Sequence, residues 1–392
     1  MDTDRIARME LTPLRVPFRP EVLEILAAGA GGIGMALQAD EPWTGGDFVH
    51  CRVTSESGAS GVGEVFVWLP ETGQSPRQLV GVVADALAPY VLGADPMRIE
   101  DLRDRMDRNL ARSDVAKGLV DLAVHELRAR LLGVGVCDLV GGRTRDRLPL
   151  AAVLPLTEVS VVADLARMAV DQGVRTLRLK LGEGVRADVA QLEAVREAVG
   201  DEIRLRVDYN QAYDAHTAVR AVRAIAGYGI DVVEQPVAAD DVLGMRHVQR
   251  ALPDVPVMAH EGAFGLVDLV THVELGGAGA IGVNTERPGG LTNALRAIDY
   301  AERRGLGVVI HNQPLGVGSA ELAHLAAARW HSLGGHAIEL FGHIMLSTDL
   351  LVERMSYDDG MVTVPTGPGW GVEVDEDLVA DHATAEPTVL TA

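Results

Sequence analysis

From about Leu148 onward the chain alternates between two hydrophobic periods. Short apolar runs, LPLAAVLPL, TLRLKLG, IRLRVDYN, IDVVEQP, VPVMAHEG, AIGVN, LGVVIHN and HAIEL, are separated by segments with apolar positions three and four apart, such as ADVAQLEAVREAVG and LTNALRAIDYAERRG. Short runs of this kind read as strands buried on both faces, and the longer pattern as amphipathic helix. Eight strands with seven intervening helices favour a parallel α/β barrel over an open sheet.

Polar residues punctuate this pattern at one place. Lys180, Asp208, Glu234, Glu261, Asn284 and His311 each stand at or next to the C-terminal end of an apolar run, about one strand-helix unit apart. In a barrel these ends converge on one face, where such folds carry their chemistry. Upstream, to about Arg147, the pattern changes. DFVHCRVTSESGASGVGEVFVW reads as a β-hairpin around a Ser/Gly turn, whereas SPRQLVGVVADALAPYVLG, RIEDLRDRMDRNL and DVAKGLVDLAVHELRARLLG have helical periodicity, the first with Ser75 as N-cap ahead of Pro76. The expected organisation is a small α+β domain over 1–147, the barrel over 148–350, and a turn-rich segment, 351–392, packing back on the first domain.

A length of 392 residues exceeds the roughly 250–300 at which single cores stop growing, in keeping with two domains. The formal charge of −21 argues against a nucleic-acid or anionic-membrane partner and leaves a small molecule. With Cys51 and Cys137 alone, no disulfide framework is expected and a reducing, cytoplasmic setting fits. The start, MDTDRIARME, lacks the apolar stretch of an export signal, and no apolar run approaches the roughly 18 residues of a membrane span. GAGGIG, Gly29 to Gly34, spells G-x-G-x-x-G, but Pro42 and the paired glycines after it leave no long helix to face a pyrophosphate, so a nicotinamide oxidoreductase is set aside. A Gly-rich loop able to fold over the barrel mouth suits that segment better.

Asp208 and Glu234 place carboxylates on apolar strands, which is costly unless a cation or hydrogen bonds compensate. Carboxylates on three successive strand ends, with Glu261 the third, favour a hard divalent ion, and Mg2+ prefers oxygen ligands. His260 stands beside Glu261. A histidine ligand would point to Mn2+, Fe2+ or Zn2+, and adjacent strand residues face opposite sides, so both can ligate only where the strand ends in an irregular turn. Oxygen preference selects Glu261, with His260 behind it or facing the substrate. Arg178 and Lys180 lie two apart and point the same way; a neighbouring cation disfavours protonation of an amine, which makes Lys180 a candidate general base. His311 gains weight as an acid/base group from this company.

In order, Arg178-x-Lys180, VDYN, EQP, a strand-end acidic residue, RPGGLTNAL, HNQPLGVGSA and IELFG resemble the enolase superfamily, in its mandelate racemase/muconate lactonising branch. LVGGRTRDRLPL and PTGPGWGVEVDED extend the resemblance over nearly the whole chain. It implies an α+β capping domain on a (β/α)7β TIM-like barrel, a homo-oligomer, and Mg2+ (or Mn2+) stabilising an enolate formed by loss of the proton α to a carboxylate. By the same resemblance Asp208 and Glu234 are metal ligands, Lys180 is the base, and Glu339 is a strand-eight glutamate near the substrate. Arg178 replaces the first lysine of the family's K-x-K; it can bind a substrate carboxylate but cannot be a base near neutrality. Asn284 stands where lactonising members have lysine and racemase members aspartate, and could orient His311 without raising its pKa, leaving His311 as acid or hydrogen-bond donor. The expected activity is that of a lyase or isomerase that dehydrates, racemises, epimerises or cycloisomerises a small carboxylic acid. A non-catalytic metal- or ligand-binding barrel is the alternative, because Arg178, Asn284 and His260 depart from the family pattern.

Overall fold

Leu150 divides the apolar run LPLAAVLPL between two sheets. The computed structural model describes residues 4–28 and 43–392. Arg147–Pro149 pairs antiparallel with Met361–Thr363, while Ala151–Leu154 enters a parallel sheet as its first strand. The sheet continues through Thr176–Lys180, Arg204–Asp208, Ile230–Glu234, Val257–Ala259, Ala280–Val283, Gly307–Asn312 and Glu339–Leu340, each beside its predecessor. It closes on itself: Ala151 N–H donates to the Ile338 carbonyl and Ile338 N–H to the Pro149 carbonyl, both at 2.9 Å. Below, these are barrel strands one to eight.

The crossovers are the helices Val159–Asp171, Val185–Val199, Ala215–Ile225, Val242–Ala251, Leu266–Glu274, Leu291–Arg303 and Gly316–Arg329. Ala215–Ile225 shows why the sequence folds this way. The Asp214 side chain accepts from the backbone N–H groups of His216 and Thr217, capping the helix, and Ala218, Val219, Ala221, Val222 and Ile225 form its buried face.

The N-terminal domain is an antiparallel sheet of Ile6–Pro17, Gly45–Ser55 and Ser60–Phe66, with the helix Asp114–Leu132 across it. Gly61 and Gly63 permit that approach: a Cβ on Gly61 would lie 2.3 Å from the Leu127 backbone nitrogen, and one on Gly63 2.6 Å from the Leu119 carbonyl. Thr388–Thr391 adds to the free edge of Ile6–Pro17. Glu64 ties this sheet to the barrel, accepting from Leu315 N–H at 2.7 Å while its own N–H donates to Glu321 at 3.0 Å. A barrel with an α+β cap is therefore the architecture that the sequence pattern anticipates. GAGGIG lies outside the described residues. Among the described residues no helix is long and apolar enough to cross a membrane.

Candidate active site

Lys180, Asp208 and Glu234 are the last residues of barrel strands two, three and four. Strand alternation makes the residue two positions earlier face inward as well. On strands four, five and seven those residues are Val232, Met258 and Val309, which join Ala280 in a small apolar cluster beneath the site. On strands two and three they are Arg178 and Arg206, so two buried guanidinium groups underlie the carboxylates. Glu339 of strand eight sits between them, 3.4 Å from Arg178 and 3.0 Å from Arg206.

Arg178 is the hub. Its guanidinium donates to Asp208 and to both oxygens of Glu234, the Nε–Oε2 bond measuring 2.9 Å. Burial opposes its charge, but Asp208, Glu234 and Glu339 more than compensate and keep it protonated. Burial likewise opposes ionisation of Glu234, yet Arg178 and His260 hold its carboxyl well below the usual range. Lys180 Nζ donates to Asp208 at 2.6 Å and to Asn210. Asn210 and Gln211 have left-handed backbones (φ 40° and 68°), which folds Asn210 back so that its N–H donates to Asp208 at 2.9 Å.

His260 and Glu261 both reach the site because strand five ends at Ala259. A turn follows, closed by Ala263 N–H on the His260 carbonyl, and the side-chain oxygen of Gln235 accepts the N–H groups of His260 and Gly262 at 3.1 Å each. His260 Nδ1 lies 2.9 Å from Glu234 and 3.1 Å from Glu261, and its Nε2 lies 3.0 Å from His311 Nδ1. Burial and Arg287 disfavour the charged form of His260, but Glu234 and Glu261 reverse this and carry it up to about 9. Glu261, despite burial, is drawn down to about 2 by His260. Burial, then the charges of His260 and Arg178, push His311 well below its ordinary value. A neutral His311 has one N–H and one lone pair. Donors face both of its nitrogens: charged His260 stands at Nδ1, and Arg178 Nη1 lies 3.3 Å from Nε2, itself 3.7 Å from Glu339, so the ring can accept from only one of them.

Glu234, His260 and Glu261 each offer one atom, all within 4.8 Å of one another. Two carboxylates and an imidazole converging in this way fit a divalent cation. Asp208 stands beside them, engaged by Arg178 and Lys180. Asn284 turns elsewhere: its amide donates to Glu286 at 3.2 Å and accepts from Arg287 N–H at 2.9 Å. Glu286 also accepts from Asn312, next to His311, and burial pushes its carboxyl up to about 8.

A cavity of about 450 Å³ opens over Arg178, Lys180, Asn210, His260, Glu261 and His311. Sequence reasoning missed Asn210, Glu71, Glu286 and Arg287 as parts of its surroundings. Asn210 and Arg287 belong to VDYN and RPGG, but Glu71 lies in the capping domain, and its ion pair with Arg287 carries no signal along the chain.

Residues 161–378 match the enolase C-terminal domain-like family, and residues 42–141 the mandelate racemase/muconate lactonizing enzyme N-terminal domain. The chain is 28% identical over 332 residues to N-succinyl-L-Arg/Lys racemase of Bacillus cereus, covering 84% of this chain and 88% of that protein. It is 30% identical over 337 residues to muconate cycloisomerase 1-1 of Acinetobacter lwoffii, covering 84% and 86%. The dipeptide epimerase of Enterococcus faecalis, solved with Mg and the dipeptide L-Leu-L-Tyr, superposes with a TM-score of 0.84 at 26% identity, over 94% of this chain and 99% of that one. Membership of such a group implies a divalent metal, for which the converging donors are a candidate site. The chain belongs to the mandelate racemase/muconate lactonizing branch of the enolase superfamily, and is an enzyme of that group.

Proposed function

We propose that this enzyme removes the proton α to the carboxylate of a small acid with Lys180 and returns a proton from the facing wall with the help of His311, so that racemisation or epimerisation is the outcome the site supports best. One observation carries the reading: Lys180 on strand two and His311 on strand seven line the same cavity as His260 and Glu261, with Glu234 behind them, 2.9 Å from His260. Dehydration and cycloisomerisation share the first step and differ only in what leaves or closes afterwards.

Glu234, Glu261 and His260, with Asp208 beside them, would hold a divalent ion, Mg2+ or Mn2+. When bound, that ion supplies Lewis-acid polarisation of the substrate carboxylate. The residues of the chain do the rest. Asp208 and Asn210 fix Lys180 Nζ at the end of strand two, and Asp208 is shared with Arg178, so the ammonium does not have that carboxylate to itself. His311 lines the cavity from strand seven, held by His260 and Arg178, and Glu339 anchors Arg178 from below. Asn284 acts indirectly, through Glu286 and Asn312. A positioned base is worth about 10²–10⁴-fold, so loss of Lys180 should be felt on that scale.

The test is incorporation of deuterium from D2O at the α-carbon of candidate acids, followed by NMR. Exchange that stops on chelation and returns with Mg2+ or Mn2+ is expected. Bound metal with no exchange of any acid would instead favour a non-catalytic barrel.

A further inference from the structure

We infer that Gln235 is a positioning residue that decides whether this chain offers its divalent ion a nitrogen or only oxygens. The inference rests on the reading above that Glu234, His260 and Glu261 hold the ion.

A strand presents neighbouring side chains to opposite faces, so the order His260-Glu261 on a regular strand would bring one of the two to the site. The turn after Ala259 brings both, and it carries two backbone N–H groups, of His260 and Gly262, that converge on one spot. The Gln235 side-chain oxygen fills that spot, 3.1 Å from each. Its amide is fixed in this sense, because the nitrogen donates to the Val237 carbonyl at 3.1 Å. Gln235 is wholly buried and has a left-handed backbone, φ 31°, a conformation disfavoured for a residue with a side chain and kept only where the surroundings impose it. They impose it here: its N–H donates to the Met258 carbonyl at 3.1 Å, and its carbonyl accepts from Gln211 N–H at 2.8 Å. Gly262 leaves room for the amide, since a Cβ there would lie 3.1 Å from both its oxygen and its nitrogen. Gln211 completes the frame, donating to Glu261 at 3.2 Å and accepting from Ala239 N–H at 2.8 Å. Glu261 is therefore gripped through its own carboxylate. His260, whose Nδ1 joins the carboxylates, depends for its place on the turn and on the contact of its other nitrogen with His311. Removing the acceptor beneath the turn frees the imidazole first. Groups that orient metal ligands from behind are worth about 10–100-fold in metal affinity.

The test is pulsed EPR of the Mn2+-loaded protein, with calorimetric titration of Mn2+ and Mg2+. The native protein should show nitrogen coupling from a coordinated imidazole, and His260→Asp should abolish it. Gln235→Met keeps the volume and removes the acceptor; it should lose that coupling and bind Mn2+ about 10-fold or more weakly, with a smaller loss for Mg2+. Gln235→Glu keeps an oxygen for both N–H groups and should retain the coupling. Gly262→Ala crowds the Gln235 amide from the turn side and should weaken the coupling in the same direction, which serves if Gln235→Met does not fold. Coupling of native strength in Gln235→Met, or in Gly262→Ala where that variant alone folds, would overturn the inference, as would its loss in Gln235→Glu. Mn2+ bound by the native protein with no coupling that His260→Asp removes would also overturn it, and would leave metal-assisted proton abstraction intact. A native protein that binds neither ion would overturn the reading of the metal site, and the inference with it.

Discussion

Nε2 of His260 lies 3.0 Å from Nδ1 of His311, so the imidazole of strand seven takes its support from the end of strand five. The other nitrogen of His260 faces Glu234 and Glu261, placing a nitrogen among oxygen donors. Imidazole suits transition ions better than Mg2+, which prefers oxygen and keeps its waters. Calorimetric titration should therefore show Mn2+ binding at least about tenfold more tightly than Mg2+, with His260→Asp shrinking the difference. Equal affinities in the native enzyme would contradict this account of His260.

Arg178 compensates Asp208, Glu234 and Glu339 at once. Arg178→Met should cost the metal-free protein about 3–5 kcal/mol, because it leaves buried carboxylates without their cation. A divalent ion restores positive charge there, so Mn2+ should raise Tm more in the variant than in the native protein. A smaller Mn2+ increment in the variant would argue that Arg178 and the ion do not share these carboxylates.

Glu286 gives stability a pH dependence of known sign. Burial, only partly offset by Arg287, raises its carboxyl from 4.5 to about 8, so the folded state keeps a proton that the unfolded chain releases earlier. Its contribution is full below about pH 4.5 and is lost as pH rises through about 8, a change on the order of a few kcal/mol. Glu286→Gln should flatten that part of the Tm–pH curve; an unchanged slope would show that Glu286 is not its source.

Glu64 joins the cap to the barrel through Leu315 N–H and also meets His50 at 3.2 Å. Glu64→Leu would leave both buried groups unsatisfied, at a cost of about 2–4 kcal/mol in denaturant unfolding. A loss below about 1 kcal/mol would mean that the junction repacks around the change.

The barrel was legible because strands buried on both faces and amphipathic helices have different periods, and because Lys180, Asp208 and Glu234 end their strands where an alternating side chain must face the axis. His260 and Glu261 were harder. Alternation alone allows only one of them to point inward, and it is the termination at Ala259 and the turn held by Gln235 that bring in both. Asn284 lies just beyond its own strand, which ends at Val283, where backbone periodicity no longer aims a side chain, and it reaches Glu286. The Glu71–Arg287 pair joins two domains and has no local signature. The sequence pattern thus located the floor of the cavity, while its wall required the packed fold.

Lys180 as the base is the claim on which the rest depends, and α-proton exchange in D2O tests it most directly. Native enzyme with its divalent ion is expected to deuterate the α-carbon of an accepted acid. Lys180→Ala should abolish that exchange, by about 10²-fold or more, while His311→Asn should retain exchange on the Lys180 face and lose turnover to the opposite configuration. Undiminished exchange by Lys180→Ala, in a variant that still folds and binds Mn2+, would contradict the account.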